Sequence, residues 1–169
     1  MTPDAPDSVT PDQQDIDERF MRDAIALGER ARGLDEVPIG CVIVDTATNQ
    51  IIGAAHNRRQ TDRDPTAHAE ILALREAATK LSRWQLTGCT LYVTLEPCPM
   101  CAGAIINARI PRLVYGCADP KAGAVRTLFT LCEDTRLNHR VEVRPDVLAE
   151  PCAELLRSFF RHQRSLGKK

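Results

Sequence analysis

The sequence predicts an α/β fold: a three-layer α/β/α sandwich around a mixed five-stranded sheet. Three observations carry this. Short β-branched or aromatic runs alternate with stripes of apolar residues at three- and four-residue steps. The first two runs are separated only by Thr46-Ala-Thr-Asn49, a turn, so they pair as an antiparallel hairpin. The later runs are separated by helical stretches, and a strand–helix–strand unit makes its two strands parallel neighbours.

The elements follow in order. Residues 1–15 are poor in large apolar groups, cannot offset their own ordering entropy, and read as a disordered acidic tail; 16–169 read as one domain. The first helix is expected over 16–32, with Ile16, Phe20, Ala24, Leu27 and Ala31 as its buried stripe and Gly33 as its stop. Residues 37–45 and 50–56 form the hairpin, and 57–65 a polar loop. A helix over 67–81 buries Ile71, Leu74, Ala78 and Leu81, with Thr66 as a candidate cap. A strand over 91–95 leads into a compact helix that begins at Pro99, where a missing N–H costs nothing, with Cys98 as its cap. Residues 112–116 make a fourth strand and 141–143 a short fifth. Between them lies a loop-rich stretch with one helical turn near 127–132. The last helix starts near Val147, with Leu148, Cys152, Leu155 and Phe159 inward.

Composition narrows the class. The chain has 169 residues, 43% hydrophobic and 27% charged, as in an ordinary globular protein. No apolar run approaches the roughly 18 residues of a membrane span, and no signal pattern opens the chain, so no membrane partner and a cytoplasmic location are expected. The net charge of −1 is uneven: residues 1–18 hold six of the 23 acids and no Lys or Arg. The remainder carries all 22 basic residues against 17 acids, a mildly basic body that permits a polyanionic partner and equally permits a mixed solvated surface. Seven cysteines without a secretion signal read as thiols for metal or core rather than a disulfide framework.

Two short motifs carry chemistry. Cys98 and Cys101, in Pro-Cys-Pro-Met-Cys, lie three apart at the start of a helix, so their sulfurs share a face and the positive helix end favours thiolate. Alone, such a pair is as readily a redox couple. His68-Ala-Glu70 opens another helix, and alone reads as solvated cap residues. Together they supply His, Cys and Cys, three ligands suited to zinc with a fourth position open, which is the catalytic rather than the structural pattern. Glu70 is then a non-ligand carboxylate beside the ion. His-x-Glu followed by Pro-Cys-x-x-Cys is the signature of zinc nucleobase deaminases. In that chemistry zinc activates a water, and the carboxylate moves its proton to the ring nitrogen and the leaving amine. Because His68 and Glu70 diverge around a helix axis, they converge only off its N-terminal end. Two helix N-termini facing one point are therefore expected.

Several longer segments resemble those of bacterial tRNA-specific adenosine deaminases, which convert the wobble adenosine to inosine. These are Val37-Pro-Ile-Gly40, Asp64-Pro-Thr-Ala-His-Ala-Glu-Ile71, the run from Leu91 to Ile105, Asp119-Pro-Lys-Ala-Gly-Ala124, Asn138-His-Arg-Val-Glu142, Cys152-Ala-Glu-Leu-Leu156 and Phe159-Phe-Arg161. The acidic tail, a slightly long turn at 46–49 and Cys117 are departures outside the chemistry. The resemblance implies a cytidine-deaminase-like fold, one Zn²⁺ per subunit, a homodimer, and the anticodon stem-loop of tRNA-Arg(ACG) as substrate. It implies substrate contacts at Asn57 and in the loop of Asp119 and Lys121, with Asp119 accepting from a 2′-hydroxyl near the target. Arg161 would bind phosphate, or else belong to a solvated basic helix end. Phe160, off the buried stripe, would stack on a loop base. The rival readings are a deaminase of a free base or nucleoside, of guanine or cytidine type, and a zinc-stabilised RNA-binding protein without catalysis. The position of Glu70 speaks against the second.

Overall fold

The computed structural model describes residues 11–168 and contains one sheet with the strand order β2-β1-β3-β4-β5. β1 (Gly40–Asp45) and β2 (Gln50–His56) form the antiparallel hairpin, and β1 also pairs antiparallel with β3 (Cys89–Leu95). β3 runs parallel to β4 (Arg112–Cys117), and β4 to β5 (Glu142–Arg144). Side chains alternate across the pleat. Cys41, Ile43, Leu91, Val93, Leu113 and Tyr115 pack on one face with α3 (Ala69–Leu81) and α4 (Pro99–Asn107). Val42, Val44, Tyr92 and Val114 pack on the other with α1 (Pro11–Gly33) and α5 (Ala149–Ser165). The expected three layers and mixed sheet are present. Among the described residues no helix is long and apolar enough to cross a membrane.

The differences lie at element ends. α1 begins at Pro11, so residues 11–15, expected in the tail, are helical; residues 1–10 lie outside the described part of the chain. Proline is tolerated in a first turn, and i,i+4 hydrogen bonds from Gln13 to Asp17 (3.0 Å) and Gln14 to Glu18 (3.2 Å) support the extension. β1 starts at Gly40 rather than Val37, because Pro38 has no N–H to give a ladder. Gly40 itself lies hard against α1: a Cβ there would stand 1.9 Å from the Ala24 carbonyl oxygen. The polar loop after β2 contains a single helical turn, α2 (Arg59–Asp62). Thr66 does not cap α3; its amide and hydroxyl donate to Asp64, and His68 occupies the cap position. The turn between β4 and β5 is a 3₁₀ turn, Leu131–Glu133. α5 starts two residues late, after Leu148 in a left-handed conformation (φ 52°).

One buried ion pair links the layers. Asp17 on α1, 1% exposed, receives two hydrogen bonds of 2.8 Å from the Arg112 guanidinium and one of 3.0 Å from the Tyr92 hydroxyl. Burial works against the Arg112 charge, and Asp17 more than offsets it. Removing one partner strands the other charge, so Asp17→Ala should lower unfolding free energy by about 3 kcal/mol in urea denaturation. Replacing Asp17 and Arg112 together with apolar residues should cost clearly less than Asp17→Ala alone.

Candidate active site

α3 and α4 lie on the same face of the sheet and pack against each other. His68 and Cys98 are their N-cap residues, both with extended backbone, and neither side chain caps its own helix. The freed side chains meet. His68 Nδ1 lies 3.7 Å from Cys98 Sγ and 3.5 Å from Cys101 Sγ, and the three ligand atoms all fall within 4.8 Å of one another. Cys101 comes from the first turn of α4 and is buried; His68 and Cys98 are half-buried. A tetrahedral zinc site, with bonds of about 2.0–2.3 Å, separates its ligands by roughly 3.5 Å, so the trio fits a borderline-soft divalent ion. The electrostatics agree. A hydrogen bond from Cys101 holds the Cys98 thiol down to about 4, with His68 assisting, and the same bond with burial pushes Cys101 up. Cys98 in turn raises His68.

Glu70 sits in the first turn of α3 and is 5% exposed. Burial raises its carboxyl above the ordinary value, and it interacts with His68 and the two thiols. A carboxyl shifted in this direction is better matched to taking up and returning a proton than an ordinary one. The four residues expected at the reaction centre are thus brought together.

The expected substrate contacts divide. Asn57, buried directly after β2, Lys121 and the exposed Phe160 line one cleft of about 920 Å³, together with Arg59, Arg164 and Lys168. Phe159 is buried and also borders the cleft, and Phe160 packs edge-on against it with ring centroids 5.3 Å apart. Asp119 is not part of the cleft lining; its Oδ1 accepts from the amides of Lys121 (2.9 Å) and Ala122 (3.2 Å), which shapes the loop. Arg161 also lies outside the lining, 3.4 Å from Glu154 on the same helix.

Two buried acids in this region have roles that the sequence does not signal. Glu96, 1% exposed between β3 and the Cys98 motif, accepts from the amides of Val125 (3.1 Å), Arg126 (2.7 Å), Thr127 (2.9 Å) and Asp119 (3.1 Å), and from the Thr127 hydroxyl. It fastens the 119–127 loop to the chain two residues before Cys98. Gly123 is required there, since a Cβ would stand 2.3 Å from the Glu96 carboxylate. Glu36, also 1% exposed, accepts from Asn57 Nδ2 (3.1 Å) and the Thr61 amide (2.7 Å). The available signal was an acid abutting an apolar strand run, which is ambiguous without its partners.

Two thiols and an imidazole gathered at paired helix ends, with a carboxylate held back from them, are the working parts of a hydrolytic nucleobase deaminase on an α/β/α sandwich. Comparison with known proteins narrows this. The chain belongs to the MafB19-like deaminase family, whose model matches residues 15–164. It is 48% identical to the tRNA-specific adenosine deaminase of Haemophilus influenzae over 156 residues, covering 92% of this chain and 90% of that protein. The tRNA-specific adenosine deaminase of Bacillus subtilis is 47% identical, with 90% and 93% covered. A solved structure from work on A-to-I editing by tRNA:A34 deaminases superposes with a TM-score of 0.78 at 42% identity, covering 82% of this chain and 99% of that one. The fold is therefore cytidine-deaminase-like.

Glu96 provides a pH test. Burial opposes its ionisation, but the Thr127 hydroxyl and the loop amides outweigh that and hold it below its ordinary value of 4.5. A depressed carboxylate stabilises the fold above its unfolded value, and that contribution is lost as pH falls through the lower folded one. Glu96→Gln turns an amine towards at least one loop N–H, at a cost of about 1–3 kcal/mol. Hydrogen exchange at 119–127 should quicken in this variant at pH 7, and the wild-type loosening of the loop below pH 4.5 should disappear.

Proposed function

We propose that this protein hydrolytically deaminates adenosine to inosine at the wobble position of a tRNA anticodon loop, with tRNA-Arg(ACG) as its substrate. The observation that carries the reading is Glu70: buried, non-ligating, in the same helical turn that follows His68, and facing two thiols. A purely structural metal site has no use for such a carboxylate. The names of the relatives support tRNA adenosine as the substrate, and the basic cleft with Phe160 at its rim suits an unpaired loop.

His68, Cys98 and Cys101 would hold one zinc ion per subunit, and when bound it lowers the pKa of water from about 16 towards 7. Glu70 accepts the proton released as the water oxygen adds to C6 of adenine. It returns that proton to the ring nitrogen, then carries the proton of the new C6 hydroxyl to the departing amine as the C–N bond breaks. Ammonia leaves, and the oxygen remains as the carbonyl of inosine, so adenosine plus water gives inosine plus ammonia. Asn57 contacts the target nucleoside, and Asp119 accepts from a 2′-hydroxyl near it. Lys121 meets phosphate in the cleft, Arg161 meets phosphate outside it, and Phe160 stacks on a loop base. The working unit is a homodimer, placed with its tRNA in the cytoplasm.

Glu70→Ala should retain bound zinc and the wild-type fold while inosine formation drops by at least 10²–10⁴-fold. Metal analysis and inosine detection in a tRNA-Arg(ACG) stem-loop read both; substantial residual activity would sink the proton-shuttle role. Wild-type protein should form inosine in that stem-loop and leave free guanine and cytidine untouched, whereas a free-base deaminase would do the reverse. Asp119→Asn should raise activity on a DNA version of the loop relative to RNA, read as the ratio of the two kcat/KM values.

A further inference from the structure

Glu36 is a buried acid that the proposed reaction does not use; it borders the cleft and sits against the one buried amide that lines it. Its backbone N–H donates to the Ala31 carbonyl at 3.0 Å, which fixes it at the end of α1. One carboxylate oxygen takes the Thr61 amide of α2 at 2.7 Å, and the other takes Asn57 Nδ2 at 3.1 Å. The Asn57 main chain is committed as well, with its N–H to the Ile39 carbonyl (3.0 Å) and its carbonyl beside His56 Nδ1 (3.0 Å). A carboxylate only accepts, so Asn57 must turn its NH₂ to Glu36. Asn57 Oδ1 then has no protein partner among the described residues, on a side chain that lines the cleft.

We infer that Glu36 is a positioning residue that sets the hydrogen-bonding polarity of the substrate site: it holds Asn57 with its carbonyl oxygen towards the cleft, so that the site takes a hydrogen-bond donor from the target nucleotide. This rests on the function proposed above. In an RNA strand the 3′ and 5′ oxygens of the target adenosine are phosphodiesters, and the amine is at the reacting carbon. The donor left is the 2′-hydroxyl of the target itself. The position thus reads the sugar of the base being changed, separately from any contact Asp119 makes near it.

The polarity can be inverted without changing shape. In Glu36→Gln the Thr61 N–H retains the oxygen of the new amide, so its NH₂ faces Asn57. Asn57 must flip and present NH₂ to the cleft. Adding Asn57→Asp to Glu36→Gln restores an acceptor on both sides. The probe is an anticodon stem-loop with 2′-fluoro at the target alone, because fluorine keeps the ribose shape and can accept but not donate. Wild type should prefer the 2′-hydroxyl substrate by roughly tenfold in kcat/KM, the worth of one buried hydrogen bond. Glu36→Gln should reduce that preference to within about threefold, and the double variant should restore it. A role in packing alone predicts that Glu36→Gln lowers both substrates equally and that Asn57→Asp brings no rescue; either result would overturn the inference. The side-chain amide protons of Asn57, followed by NMR without substrate, provide an arm independent of activity. They should be protected in the wild type and lose protection in Glu36→Gln. Protection in a protein that forms no inosine would refute the proposed function and leave the orientation standing, whereas unprotected protons in the wild type would refute the orientation.

Discussion

The site depends on two helices that begin at one point. β2 runs antiparallel to β1, and β1 antiparallel to β3, so β2 and β3 point the same way and end at the same edge of the sheet. α4 follows β3 directly, and α3 follows β2 after the short α2. Both return across the same face, so both N-termini lie above that edge. Their cap residues are His68 and Cys98, and the positive helix ends favour the thiolate form that a metal needs. Strand direction therefore places residues 30 positions apart, His68 and Cys98, within 3.7 Å. A register slip of one residue between β1 and β3 would turn each inward side chain outward and separate them.

Around this edge the connections have no ladder to satisfy their amides, and buried carboxylates do it instead. Glu96 takes four backbone N–H groups and one hydroxyl from the 119–127 loop. Glu36 takes α2 through Thr61 and Asn57 through its amide. Asp17 does the equivalent on the far face with Arg112 and Tyr92. A buried charge is tolerated only when its hydrogen bonds are complete, so each acid makes its segment close to all-or-none. Loops that would otherwise sample many conformations are given one.

The sheet and the reaction centre were legible in the sequence because both rest on local patterns. The hairpin showed in the turn between two β-branched runs, and the bounds expected for its second strand, 50–56, match β2. Cys98 as cap with Pro99 first in the helix followed from proline chemistry, and the convergence of His68 and Glu70 from helix geometry. Less legible was whatever depends on distant partners. α1 reaches back to Pro11 because polar i,i+4 pairs carry its first turn, while the apolar stripe that marks a helix starts only at Ile16. Glu36 and Glu96 each sit beside an apolar run, where an acid is usually solvated; only the folded chain shows the amides that justify them. Arg161 shares a basic helix end with Arg164, and the helical rotation between them decides which one faces the cleft.

The proposed reaction centre and the proposed recognition cleft occupy separate parts of the chain. The His–Cys–Cys trio is absent from the cleft lining, while Asn57, Lys121 and Phe160 are part of it. The trio is built from two cap positions and the helical turn after one of them, whose geometry the sheet dictates, so it can persist unchanged beside different clefts. The cleft is built from loops and a terminal helix, held by acids such as Glu36 that can change without disturbing the ligands. That separation explains why Cys98, Cys101, His68 and Glu70 as a pattern point to hydrolytic deamination but are silent about its substrate. The distinction between a free base and a base within RNA has to be made by groups outside the trio. Asn57 is proposed as one of them, with its amide NH₂ held by the buried Glu36 carboxylate.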